Sequence, residues 1–198
     1  MEVNSYSDEE ILAKIKEIIG DILAMESNGI SPDSSLIDDL GMESIDFLDL
    51  AIRLEETFNI SVPRRPPLQR MEAVFGREKL VQEGRLTQIG VRLLRLALPE
   101  VDQGRISEGT LDSDIPSLMT TQTYVTVVKR GLELARWQPE ECDKCGSKSF
   151  IPADKDKLEF PDGKVPPGPV FLCNSCNNMI IAPSPDDKLI NQLSEELQ

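Results

Sequence analysis

Two short cysteine pairs restrict the last third of this chain more tightly than any other feature restricts the rest. Cys142-Asp-Lys-Cys145-Gly and Cys173-Asn-Ser-Cys176 are separated by 27 residues rich in turn formers, with strand-like runs around Ser149-Ile151 and Val170-Leu172. Each pair has the spacing of a metal knuckle, and four thiolates suit a tetrahedral ion, zinc first and iron as the main alternative, the iron reading being weakened by Asn177 after Cys176, where the second knuckle of an iron site usually has glycine. The expected ligands are Cys142, Cys145, Cys173 and Cys176. A module of this size with few core aromatics needs such a staple to hold its fold. Four protein ligands leave no open coordination position, so the site is expected to be structural and not catalytic. Disulfides are the competing use of the same residues, and the paired spacing weighs against them. A thioredoxin-like redox role needs one such pair on a helix, not two facing knuckles.

The chain has no histidine, which removes histidine-based serine and cysteine nucleophiles and every metal site that needs an imidazole. The net charge of -14 divides as -12 in residues 1–63, +3 in 64–137 and -5 in 138–198. Such acidity repels a phosphate backbone and attracts partners with basic patches, and an aromatic content of 5% is too low for base-stacking platforms. No nucleic acid is expected as a partner. The first ten residues read as no secretion signal, and no run of about 18 apolar residues occurs, so neither secretion nor stable membrane insertion is expected. A cytoplasmic location is the default expectation.

Ser7 and Glu10 form a capping box, and Ile11, Ile15, Ile18, Ile19, Ile22 and Leu23 then recur at helical spacing to about Met25. A loop follows in which Ile30, Leu36, Ile37 and Leu40 are expected to pin the backbone onto the core. A second helix is expected from Ser44 to Phe58, with Phe47, Leu50, Ala51, Leu54 and Phe58 facing inward and Asp46, Asp49 and Glu56 nearly opposite. Ile45, Leu48 and Ile52 lie between those stripes beside Ser44, a mixed face suited to docking a partner. After Val62-Pro63 the run RRPPLQR breaks the pattern. Met71, Val74, Phe75, Leu86, Ile89, Leu93, Leu94 and Leu98 then point to further helices. Residues 84–101 are basic and amphipathic. Their leucines are expected to pack on the core of the first helices, with Arg85, Arg92 and Arg95 solvated or paired with acids of the second helix; a surface dedicated to one enzyme and a membrane-surface contact are the alternatives. A helix at Thr121–Ala135 carries Tyr124, Val125, Val128, Leu132 and Ala135 on one face. Pro161 to Pro169 reads as the loop between the knuckles. Ser184-Pro185 opens a last amphipathic helix with Leu189, Ile190, Leu193 and Leu197.

The stretch DSSLIDDLGMESIDFLDLAIRLEETFNISVP, residues 33–63, resembles the acyl carrier proteins. It has the Asp38-Asp39-Leu40-Gly41 turn, a serine opening the second helix, an apolar residue after it and a Phe-x-Ile-x-Val-Pro ending. The resemblance implies a phosphopantetheine arm on Ser44, whose phosphodiester would sit at a helix N-terminus where free amides and the helix dipole favour negative charge. Gly41 is expected to permit a tight approach. The sequence departs from the family at Glu43, where aspartate is usual, and at Ile45, where leucine is usual. Leu118-Met119-Thr120-Thr121-Gln122 and Tyr124-Val125 look like the family's closing helix, so residues 64–116 read as an insertion and the resemblance covers about 1–63 and 117–136. The cysteine module resembles a zinc ribbon.

The expected fold is mainly α: an acyl-carrier-like helical bundle (1–137) with a helical insertion (64–116), a small four-cysteine zinc ribbon (138–183) and a C-terminal amphipathic helix (184–198). The resemblance implies no enzyme activity. It implies a carrier that holds acyl intermediates as thioesters for fatty-acid-like or polyketide-like biosynthesis, served by a phosphopantetheinyl transferase and by acyl ligase, ketosynthase or acyltransferase partners. Those partners are expected to meet Glu43, Ile45, Asp46, Leu48, Asp49 and Glu56. The rival reading is a zinc-ribbon adaptor for proteins or nucleic acid, with an unmodified helical docking domain.

Overall fold

A computed structural model of the chain describes residues 6–160 and 163–196. Leu197, expected on the apolar face of the last helix, and Pro161, expected to open the loop between the knuckles, lie outside the described residues. Among those described, the elements run α1 (Asp8–Leu23), α2 (Ser44–Phe58), α3 (Pro67–Phe75), α4 (Arg77–Leu80), β1 (Val81–Gln82), β2 (Arg85–Leu86), α5 (Gln88–Ala97), α6 (Thr121–Arg136), β3 (Phe150–Pro152), β4 (Val170–Cys173), β5 (Met179–Ile181) and α7 (Pro185–Glu196). The chain is mainly helical, as expected.

Polar caps start the helices where the sequence places them. Glu10 N–H donates to Ser7 Oγ at 3.2 Å and Ser7 N–H to Glu10 Oε2 at 2.8 Å, the reciprocal pair of a capping box. Ser184 N–H donates to Asp187 Oδ2 at 2.7 Å in the same way at α7. Helices α1, α2 and α6 close a first apolar core around Ile15, Ile19, Leu50, Leu54 and Val128. The loop between α1 and α2 is pinned as expected: Ile30 and Leu36 are buried in that core, and Leu36 N–H donates to Met119 O at 3.0 Å. Within α6 it is Leu134 that is buried, while Ala135 faces solvent.

The leucines of residues 84–101 do not pack on that first core. They form a second one, in which Leu93, Leu94 and Ala97 of α5 meet Leu68 and Met71 of α3, Leu80, Ile115 and, from the far end of the chain, Leu189 and Leu193 of α7. Periodicity marks the apolar face of α5 correctly; the face finds its partners in α3 and α7, which supply complementary apolar stripes. Arg85 and Arg95 are spent on backbone. Arg95 donates to Ile106 O at 2.9 Å and to Gln103 O at 3.1 Å, and Arg85 donates to Gly109 O at 2.7 Å, so neither reaches the acids of α2.

Before α5 the chain makes a two-residue hairpin with Glu83 (φ 51°) and Gly84 (φ 74°) in the left-handed region, the turn whose twist matches paired strands. It lays Leu80 against the first turn of α5, where a Cβ on Gly90 would stand 2.3 Å from Leu80 O. Backbone cannot yield there cheaply. Gly90→Ala is expected to destabilise the second core by about 1–3 kcal/mol, read as a lower midpoint in chemical denaturation.

The three short strands of the C-terminal module form an antiparallel sheet in the order β3-β4-β5. It meets α6 through the Trp137 and Phe171 rings, whose centroids lie 6.0 Å apart. Among the described residues, no helix is long and apolar enough to cross a membrane.

Candidate functional site

Ser44 is the first residue of α2 and is exposed. The capping work at this helix is done by its neighbours: Glu43 N–H donates to Asp46 Oδ2 at 2.7 Å. The Ser44 hydroxyl has no hydrogen-bond partner among the described residues, unlike Ser7, Thr87 and Thr120, each of which accepts from the first turn of its own helix. A helix-opening serine without a capping role leaves its oxygen free for a covalent group. The phosphate of such a group would meet the unpaired amides and positive end of α2. Gly41, just ahead, has φ 71°, the left-handed region that favours glycine, and a Cβ there would touch no protein atom within 4 Å.

The loop leading to Ser44 is held from both cores. Ser35 Oγ donates to Ser117 O at 3.0 Å, and Ser117 Oγ donates to Asp38 Oδ1 at 2.9 Å. The turn that carries Ser117 contributes Ile115 and Leu118 to the second core.

Along α2, the residues expected to meet partners lie on accessible surface. Ile45, Leu48 and Ile52 are 67%, 46% and 40% exposed, although each is apolar. Glu43 and Glu56 are exposed, and Asp46 and Asp49 are half-buried. Sequence reasoning missed Arg53, whose Nε donates to Asp49 Oδ1 at 3.0 Å. The signal was available as an acid followed four residues later by a base.

The four cysteines converge. Their Sγ atoms all lie within 4.8 Å of one another, with Cys142 and Cys176 at 3.7 Å and Cys145 and Cys173 at 3.5 Å. Metal–sulfur bonds of about 2.3 Å in a tetrahedron place sulfurs about 3.8 Å apart, whereas a disulfide needs about 2.05 Å, so the donor set fits a tetrahedral ion. Cys142 and Cys173 are buried, and Cys145 is exposed. Burial pushes the Cys173 thiol up, but the amides of Cys176 and Ser175, together with hydrogen bonds from the Cys145 and Cys176 thiols, outweigh this and bring it down to about 6. The residue after each second cysteine is left-handed: Gly146 has φ 70° and Asn177 φ 60°. Asparagine tolerates that conformation better than most residues, so Asn177 takes the place where a knuckle usually has glycine. Its side chain therefore does not separate zinc from iron, as the sequence had suggested. Behind the site, Asn178 Nδ2 donates to Asp143 Oδ1 at 2.8 Å, tying the two knuckles together.

An exposed serine with an unused hydroxyl thus stands at the head of α2, on a bundle of α1, α2 and α6. The model of the family described as "Phosphopantetheine attachment site" matches residues 13–65. An acyl carrier protein of Prochlorococcus marinus is 42% identical over 57 residues, 29% of this chain and 71% of that protein. Another, from Clostridium acetobutylicum, is 43% identical over 53 residues, 27% of this chain and 69% of its own. The chain belongs to the acyl carrier protein family. No solved structure matches it. The C-terminal four-cysteine cluster fits a zinc-ribbon-like module.

Proposed function

We propose that this chain is an acyl carrier whose Ser44 bears the phosphopantetheine arm, in fatty-acid-like or polyketide-like biosynthesis. The observation that carries this reading is the free, exposed hydroxyl of Ser44 at the head of α2, within the residues that the family model matches. When attached, the arm supplies a thiol on a flexible tether, where acyl groups are held as thioesters. The chain's own residues do the rest: on the transferase, Ser44 Oγ would lose its proton and attack the coenzyme A pyrophosphate, breaking the P–O–P bond and releasing adenosine 3′,5′-bisphosphate, and the α2 N-terminus would steady the phosphodiester so formed. Glu43, Ile45, Asp46, Leu48, Asp49 and Glu56 form the face for the transferase and for acyl ligase, ketosynthase or acyltransferase partners. The chain works as a carrier and not a catalyst, and in the cytoplasm.

On this reading residues 1–137 are the carrier unit, with 64–116 inserted, and 138–183 are the ribbon. Zinc is the ion that Cys142, Cys145, Cys173 and Cys176 would hold, as a structural clamp. The thioester claim is tested by loading the arm-bearing protein with a fatty acid through an acyl ligase and then adding neutral hydroxylamine. Intact mass should show the acyl group gained and then lost, with the arm retained. An acyl mass that survives hydroxylamine would mean another linkage.

A further inference from the structure

The last helix belongs to a core that lies far from it in sequence. Leu193 of α7 is 0% exposed in the second core, and Arg70 of α3 grips Asp186 of α7 through Nε at 2.9 Å and Nη2 at 2.9 Å. Yet α7 follows β5 after only residues 182–184, so its position depends on where the sheet sits. The sheet in turn is seated on α6. A Cβ on Gly168 would lie 2.7 Å from Leu134 Cδ1 and 2.9 Å from Ala182 Cβ, and Trp137 and Phe171 meet ring to ring beside them. Cys173 ends β4, and Cys173 N–H donates to Asn178 O at 2.9 Å, so the second knuckle fixes the β4–β5 hairpin.

We propose that metal binding at the four cysteines delivers α7 to the second core, so that loss of the metal loosens α7 and uncovers the apolar face of α5. The proposal rests on the reading of these cysteines as a metal site. With the ribbon folded, α7 hangs from a fixed sheet by residues 182–184. With the ribbon unfolded, the tether runs from Trp137 through residues 138–184. Loop-closure entropy makes docking from the longer tether roughly 60-fold less favourable. The face left open would be that of Leu93, Leu94 and Ala97, all buried when α7 is docked. The first core has no part in this, since α7 contributes none of its residues.

The test is hydrogen exchange followed by mass spectrometry on the full chain, zinc-loaded against chelated under reducing conditions at one pH, with native mass reporting metal content. Amides of 185–196 should exchange roughly 60-fold faster after chelation, while those of α1 and α2 stay unchanged. Faster exchange confined to 138–183 would overturn the inference. So would equal acceleration in α1 and α2, which would make the metal a stabiliser of the whole chain. A chain that takes up no zinc at native mass fails at the earlier step and removes the metal reading together with the inference.

Discussion

Replacing Cys173 by serine is expected to empty the metal site and unfold residues 138–183 while leaving the arm-bearing bundle folded. Cys173 is fully buried, closes β4, and faces Cys145 at 3.5 Å, so no other side chain can supply the missing sulfur. The sheet it anchors has three strands of three or four residues and buries few large side chains of its own. Structural zinc in modules of this kind is worth on the order of 10 kcal/mol or more, which exceeds anything such a sheet holds in reserve. The first core contains no residue of the ribbon, so helicity from α1, α2 and α6 should persist. Trp137 is the chain's one tryptophan, and its contact with Phe171 makes its fluorescence the natural reporter. The variant should show a solvent-exposed tryptophan spectrum, no bound zinc at native mass and most of its far-ultraviolet helical signal. A variant with an unchanged tryptophan spectrum would mean that packing alone holds the module.

Ser44→Ala should separate fold from function cleanly. The hydroxyl caps nothing, since Glu43 and Asp46 close the head of α2 between themselves. Alanine is also the better helix former. The change in unfolding free energy should stay within about 0.5 kcal/mol, the usual range for a surface substitution. Arm transfer should nevertheless fall to nothing, because no other oxygen occupies that place. Had Ser44 been the capping residue, the same substitution would cost about 1 kcal/mol. Denaturation of the variant thus tests the site's geometry, while modification tests its chemistry.

Much of this was legible in the residues. Apolar spacing locates α1, α2 and α6, because each turns one stripe toward a single core, and C-x-x-C spacing locates the four cysteines whose sulfurs the fold brings together. Periodicity was silent on what a buried stripe packs against. The leucines of α5 read as extra cover for the first core, while their true partners lie in α3 and in α7, which follows the ribbon. The β1–β2 hairpin was hidden because each strand has two residues and its turn is Glu83-Gly84, where asparagine-glycine would have announced itself. At the candidate site the motif marked Ser44, but only the coordinates reveal that Glu43 and Asp46 relieve it of capping. The meaning of Asn177 was missed because residue type was read without its backbone angle, and φ 60° is what the knuckle requires.

The central claim is that Ser44 carries the arm. The measurement that tests it most directly is the intact mass of the wild-type chain after incubation with a broad-specificity phosphopantetheinyl transferase and coenzyme A, followed by peptide mapping. The account predicts the gain of a single arm, on the peptide that contains Ser44. A wild-type chain left unmodified, in a reaction that converts a control carrier completely, would contradict it.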